Sequence, residues 1–224
     1  GRQRQQTNRQ DRGVRQAKYR NGCAGKHAHA VRRGFAAGWR PGIDPVTWQE
    51  RGRAILRELA LPDLPETPVT AELLTREDRG DHWCAHLRLD FGTGFAAEAL
   101  LLMPVGQGPF PAVLALHDHG SEFSIGKEKC IPPPGSANGV AEHWWARFFG
   151  GHPIGPALVR RGFAVLSVDA LGWGARRGNG YDAQQALAAN LLQIGLSPAG
   201  LMAWEDTRAA VFLADHPAVD ATRI

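Results

Sequence analysis

The sequence predicts an α/β domain whose sheet contains parallel strands and carries helices on its faces. Residues 111–116 and 163–169 are dominated by apolar side chains, as in strands that are buried on both sides. A short helix is predicted between them at residues 156–162, with Gly162 at the position after its end. Because strand, crossover and strand follow in this order, the two strands are expected to pair in parallel.

The first predicted element is a helix that begins at residue 45. Asp44 suits its N-cap position and Pro45 suits its first turn. Four apolar residues then recur on one helical face: Trp48, Ile55, Leu56 and Leu59. The helix is expected to end near residue 61, and the Pro-rich residues 62–68 are expected to be a linker.

A hairpin and two further helices complete the predicted elements. Residues 83–90 and 95–103 are strand-like and are separated by Phe-Gly-Thr-Gly, which predicts an antiparallel hairpin. A helical stretch is expected near residues 183–192. Ser197 and the proline after it then suit the N-cap and first turn of a long helix that reaches about residue 215.

Residues 1–43 are predicted to form a disordered basic tail, and residues 44–224 the folded domain. Residues 1–40 carry 11 Lys and Arg against one acidic residue, a balance of 11 − 1 = +10, whereas the rest of the chain carries 15 − 21 = −6. Since large apolar residues are almost absent before Phe35, this segment cannot bury enough surface to offset its ordering entropy. A nucleic-acid-binding arm is the functional alternative, which the lack of interleaved aromatic residues disfavours.

The composition excludes several classes of protein. A hydrophobic content of 43% with 21% charged residues is typical of globular chains, and no apolar run approaches the ~20 residues of a membrane-spanning helix. Cys23, Cys84 and Cys130 are odd in number and lack C-x-x-C spacing, so neither a disulfide framework nor a zinc ribbon is expected. A reducing, cytoplasmic location is the expectation.

Two loops are the predicted ligand-binding region, because parallel α/β sheets bind ligands at the carboxyl ends of their strands. The first is His-Asp-His-Gly-Ser at residues 117–121, and the second is residues 169–174. Gly120, just past the strand, would let backbone N–H groups approach a substrate closely, as an oxyanion hole requires. The alternative is that Gly120 only makes the turn.

A metal site is the second possibility for the first loop, because His117 and His119 form an H-x-H pair. Asp118, His143 or His152 could add a third ligand, but none stands at a recognisable spacing. On an extended segment the two rings of such a pair point to opposite faces. The sequence therefore favours a hydrogen-bonded His117, and no metal is predicted.

No residue of the chain has the setting of a nucleophile. The G-x-S-x-G elbow of α/β hydrolases is absent, and Ser197 follows a helix and precedes proline, as an N-cap does. Cys130 is flanked by lysines that could lower its pKa, but it lacks the strand-turn-helix setting, as does Cys23.

An aromatic cluster at helical spacing separates the two loops: Trp144, Trp145, Phe148 and Phe149. Such a cluster most often belongs to the core, and a pocket wall or lid is the alternative. Arg176 and Arg177 could bind a substrate carboxylate.

The chain resembles the dienelactone hydrolase-like and acetylxylan esterase-like branch of the α/β-hydrolase superfamily over about residues 45–224. The resemblance rests on residues 111–120 (PAVLALHDHG), 126–129 (GKEK) and 161–177 (RGFAVLSVDALGWGARR), followed by 200–208 (GLMAWEDTR) and 216–224 (HPAVDATRI). It implies the N-terminal half of an α/β-hydrolase fold, and a serine hydrolase that acts on carboxylic esters without a cofactor.

The same resemblance implies a Ser/Asp/His triad whose serine follows Ile224 by about ten residues, so the chain itself is expected to be inactive. It assigns the oxyanion hole to the backbone around His119, Gly120 and Ser121. The pocket candidates are His117, Asp169, Gly172, Trp173, Trp144 and Trp145. The alternatives are a non-catalytic binding protein with a nucleic-acid-binding tail and a metal-dependent hydrolase using His117 and His119.

The strand order implied by the resemblance, 1-2-4-3, leaves the strand at residues 112–116 at the edge of the sheet. Residues 219–224 look like a turn that delivers the first residue of its neighbour. No charge or proline protects residues 112–116, so self-association through this edge is expected.

Overall fold

The computed structural model describes residues 38–224, so most of the predicted tail lies outside the described residues. The chain divides into two units, Gly1–Leu59 and Ala60–Ile224. Helix α1 spans Pro45–Ala60, and the Asp44 carboxylate caps it by accepting the N–H of Thr47 at 2.8 Å and its hydroxyl at 2.9 Å. Both the cap and the end of this helix agree with the sequence prediction.

Five strands form one sheet in the order β1-β2-β3-β5-β4. Their bounds are β1 (Thr70–Asp78), β2 (His82–Asp90), β3 (Ala96–Pro104), β4 (Ala112–Leu114) and β5 (Ala164–Val168). The β2–β3 hairpin is antiparallel, and β4 pairs with β5 in parallel with Val113 opposite Val165. The predicted α/β fold and the parallel pair are thus confirmed.

Strand β1 was not predicted, because its sequence TAELLTRED is largely polar and nearly all of its residues are exposed. Strand β1 is defined by its antiparallel backbone hydrogen bonds with β2, which its side-chain pattern does not predict. Such an edge strand depends on its neighbour's backbone rather than on its own burial. The implied order 1-2-4-3 is therefore present as β2-β3-β5-β4, with β1 added outside it.

Four helices follow the hairpin: α2 (Gly139–Phe148), α3 (Ile154–Val159), α4 (Tyr181–Gln193) and α5 (Pro198–Ala214). Two short 3₁₀ turns lie at Lys127–Lys129 and Gly174–Arg176. Ser197 caps α5 as predicted, accepting the N–H of Gly200 at 2.9 Å. In residues 38–224 no single helix is long and apolar enough to cross a membrane, although the bent pair of α4 and α5 passes the same test together.

Alternation along β3 supplies a core to each face of the sheet. Leu101 packs on one side with Trp204 and Leu213 of α5. Leu102 packs on the other side with Val159 of α3. Because β4 and β5 are parallel, the loops that follow them lie at the same edge of the sheet.

The outer edge of β4 is less open than the sequence suggested. The backbone N–H of Phe110 donates to the carbonyl of Ala218 at 2.8 Å, and the backbone N–H of Ala112 donates to the carbonyl of Arg223 at 2.9 Å. Phe110 and Val219 form a parallel bridge. Residues 218–223 therefore pair with the start of this edge. Within the described range the unpaired part begins beyond Ala112.

Candidate functional site

The two predicted loops meet where β4 and β5 end. The N–H of Ala170 donates to Nε2 of His117 at 3.0 Å, and the indole N–H of Trp173 donates to the carbonyl of His119 at 3.2 Å. The ring centroids of His119 and Trp173 lie 4.9 Å apart in an edge-on contact. These cross-links make the two loops one structural unit.

His117 joins the two loops by hydrogen bonds and is not free to act as a base. Since a backbone N–H can only donate, Nε2 must accept from Ala170, and the ring proton lies on Nδ1. That proton is directed at the carbonyl of Asp118, 3.1 Å away. Burial lowers the pKa of His117, which agrees with a neutral ring in this position.

The metal alternative gains no support from this geometry. Both nitrogens of His117 are occupied, and Nδ1 of His119 accepts the N–H of Ser121 at 3.2 Å. Across residues 38–224, no group of three or more His, Cys, Asp or Glu side chains is placed to hold a metal ion.

Asp169 ties the second loop to the 3₁₀ turn at Lys127–Lys129. Its carboxylate is fully buried and accepts the N–H of Lys127 at 2.8 Å, the ammonium of Lys127 at 2.9 Å and the N–H of Ala175 at 3.1 Å. Gly174 lies at φ +55°, and a Cβ there would come within 2.2 Å of this carboxylate. Asp169 thus holds the walls of the site together and does not open into a pocket.

Lys127 is buried among three carboxylates. Besides Asp169, its ammonium lies 2.8 Å from Glu128 Oε1 and 3.3 Å from Glu98 Oε2, and His86 contacts Glu98 at 2.9 Å. Burial opposes the charge on Lys127, but the carboxylates of Asp169 and Glu128 outweigh it and raise its pKa. Burial likewise opposes the charge on Glu128, but Lys127 outweighs it and lowers the pKa of that carboxyl. Lys127 and Glu128 therefore stay charged beneath the loops, whereas burial raises the pKa of Asp169.

Lys129 is the second buried lysine of this turn and has a different environment. Its side chain is 0% exposed, and its ammonium donates to the carbonyls of Asp118 and His119 at 2.9 and 3.1 Å. It also lies 4.6 Å from the ring centroid of Trp144. Nothing in the GKEK segment predicts this burial, because lysines in a polar loop are normally solvated.

The loop around Gly120 has an unusual backbone. Gly120 and Ser121 both have positive φ, +48° and +57°, and Ser121 is the only such non-glycine residue in the described part of the chain. A Cβ on Gly120 would lie 2.0 Å from Cη2 of Trp144. Glycine is therefore required both by the conformation and by the contact with the indole ring.

The remaining pocket candidates support the loops. Trp144 and Trp145 are buried, and the indole N–H of Trp145 donates to the carbonyl of Glu128 at 2.9 Å. Gly172 lies at φ +94° beside Gln184. The tryptophans of α2 are thus core residues behind the loop.

Cys130 and Arg176, two further candidates from the sequence, do not serve as reactive or substrate-binding groups in the structure. Burial raises the pKa of the Cys130 thiol to about 11, opposite to the shift that activates a nucleophile. Arg176 forms a bidentate pair with Glu205 of α5, with both nitrogen–oxygen distances at 2.7 Å. Its guanidinium is therefore committed to the helix and not to a substrate.

Comparisons with known proteins agree with this architecture. No protein-family model matches the chain. It is 28% identical over 177 residues to "Putative hydrolase YtaP" of Bacillus subtilis (strain 168), a match that covers 78% of this chain and 54% of the relative. The chain therefore spans about half the length of this curated relative.

A solved structure described as a "putative acetyl xylan esterase" from Bacteroides fragilis NCTC 9343 is similar with a TM-score of 0.69 and 20% identity. The similarity covers 88% of this chain and 51% of that one. The similarity shows that the two chains share this fold, which agrees with the fold that the resemblance implies.

Proposed function

We propose that this chain supplies the oxyanion-loop half of a serine hydrolase that cleaves carboxylic esters. The observation that carries the proposal is the loop at residues 117–121, at the carboxyl end of β4. Within the described residues, the backbone N–H groups of His119 and Gly120 make no hydrogen bond, and both residues are exposed. Two adjacent free N–H groups at this edge of the sheet are what an oxyanion hole needs.

The proposed reaction is acyl transfer to water. A serine attacks the ester carbonyl with help from a histidine, the loop N–H groups stabilise the negative oxygen that forms, and water then hydrolyses the acyl-enzyme. The chain contains no G-x-S-x-G elbow, so the nucleophile, acid and histidine are proposed to lie on sequence beyond Ile224. The family resemblance to dienelactone hydrolases fits the same chemistry.

The experiment compares this chain with the same chain extended by its natural downstream sequence. The substrate is p-nitrophenyl acetate, chosen because the structural neighbour is described as an acetyl xylan esterase. We expect no hydrolysis and no serine labelling by a fluorophosphonate probe with residues 1–224. The extended chain is expected to hydrolyse the ester and to be labelled on a serine by the probe. The control is an exchange of the labelled serine to alanine, which should abolish both signals.

Two outcomes would contradict the proposal. Stoichiometric fluorophosphonate labelling of residues 1–224 would mean that the nucleophile has been missed in this chain. An extended chain that folds but neither hydrolyses the ester nor takes the label would remove the serine-hydrolase assignment.

A further inference from the structure

Both lysines of the 3₁₀ turn at Lys127–Lys129 are buried under the loops, and only Lys127 has carboxylates within hydrogen-bond distance. Lys127 has oxygen atoms of three carboxylates within 3.3 Å. For Lys129 the nearest carboxylate oxygen, Oδ1 of Asp118, lies 3.9 Å away, beyond hydrogen-bond distance. Its ammonium is bound by two peptide carbonyls, those of Asp118 and His119. Burying the Lys129 charge without a carboxylate partner at hydrogen-bond distance costs folding free energy, which points to a role for this lysine beyond packing.

The two carbonyls belong to consecutive peptide groups. In a trans peptide the C=O and N–H bonds point in opposite directions. Since the carbonyls of Asp118 and His119 both point to Lys129, the N–H groups of His119 and Gly120 both point away from it. Lys129 therefore sets the direction of the two N–H groups that the proposed function uses.

Each carbonyl has a second donor that fixes the same orientation. The Nδ1 proton of His117 reaches the carbonyl of Asp118 at 3.1 Å, and the indole N–H of Trp173 reaches the carbonyl of His119 at 3.2 Å. Turning either peptide over would break two hydrogen bonds and bring an N–H group towards the ammonium. The pair of N–H groups is thus held in advance of any ligand, as electrostatic catalysis requires.

The charge of Lys129 also acts through the peptides. An ammonium at the carbonyl end polarises a peptide group and increases the partial positive charge at its N–H end. Trp144 closes the other side of Lys129 and contacts Gly120, which keeps water from screening the charge.

We propose that Lys129 is the positioning residue of the oxyanion site: its buried ammonium holds two consecutive peptide groups so that the N–H groups of His119 and Gly120 bind a ligand oxyanion. The inference rests on the proposed function and extends it, since it names the group that creates the site. Lys129 acts through the peptides and does not touch the ligand.

The test is an NMR titration of the deuterated, ¹⁵N-labelled chain with methylphosphonate, a stable tetrahedral oxyanion. The amide signals of His119 and Gly120 are expected to shift in a saturable manner, while that of Gly135, an exposed glycine of positive φ in another loop, stays in place. Lys129→Met is expected to weaken binding about tenfold or more, because donors to a charged group lose their alignment. Lys129→Arg, which keeps the charge, is expected to recover part of the methylphosphonate affinity that Lys129→Met loses.

Residual dipolar couplings of the same two N–H bonds measure their orientation directly. They are expected to change in Lys129→Met and to stay close to the parent values in Lys129→Arg, while amides of β2 and β3 keep their couplings in both. Should Lys129→Met fail to fold, Trp173→Phe removes the second donor to the His119 carbonyl and is expected to weaken methylphosphonate binding by a smaller factor.

The results separate this inference from the proposed function. Saturable shifts that depend on Lys129, combined with no ester hydrolysis by the extended chain, would keep the anion site and remove the esterase. Ester hydrolysis by the extended chain with no shift at His119 and Gly120, or with equal binding in the parent and Lys129→Met, would overturn the inference alone.

Discussion

Replacing Asp169 by asparagine tests whether its buried carboxylate holds the loops together. The side chain keeps its shape, but one oxygen that accepts hydrogen bonds becomes an NH₂ group that faces N–H donors. Removing one partner of a buried ion pair costs about 3–5 kcal/mol, and Lys127 retains Glu128 and Glu98, which places the electrostatic loss near the lower limit. An unpaired buried N–H adds about 1 kcal/mol.

We therefore expect Asp169→Asn to lower the free energy of unfolding by about 3–4 kcal/mol, or the melting temperature by roughly 10 °C. Urea unfolding followed by tryptophan fluorescence measures the difference. The matched control is Glu72→Gln, which removes an exposed ion pair with Arg88 and is expected to cost less than about 1 kcal/mol. If Asp169→Asn were no more destabilising than Glu72→Gln, the proposed role of the carboxylate would be wrong.

Three further changes test the loop and the sheet edge. Burial lowers the pKa of His117 below 6.5, so the folded chain binds fewer protons than the unfolded chain as pH falls through 6.5. The free energy of unfolding should therefore decline below pH 6.5. His117→Gln should flatten this decline when urea unfolding is measured at a series of pH values. Gly120→Ala should destabilise the fold by about 2–5 kcal/mol, because backbone strain adds to a clash with an indole ring. The parent chain should form dimers or larger oligomers at micromolar concentration in sedimentation velocity, and Leu116→Lys should reduce them by placing a charge beside the open edge of β4.

Each of these changes has a matched control. His143→Gln exchanges an exposed histidine of α2 and should leave the pH dependence as in the parent chain. Gly135→Ala shares the positive φ but has open space around it, so an equal loss in both alanine variants would refute the contact argument. Leu192→Lys alters another exposed leucine and should not change the oligomers; a monomeric parent chain would contradict the edge prediction outright.

Local sequence patterns were sufficient to predict the elements that are defined by their own capping, turn or apolar residues. The Asp44 and Ser197 caps, the antiparallel hairpin and the parallel pair of β4 and β5 all agree with the sequence prediction. Each depends on residues close in sequence or on an apolar run that must be buried. Strand β1 could not be found in this way, because a polar edge strand is defined by the backbone of its neighbour.

The sequence by itself therefore determined the fold class and the two loops at the carboxyl ends of the parallel strands. Only the tertiary structure decided which residues of those loops face a ligand and which hold the loops in place. Asp169 and His117, predicted as pocket residues, are occupied by hydrogen bonds across the site, and Lys129 enters it from a turn that sequence patterns leave unmarked. The physical reason is that a buried charge is tolerated only where carboxylates or backbone groups from distant parts of the chain converge on it, and such convergence depends on the packing of the whole domain.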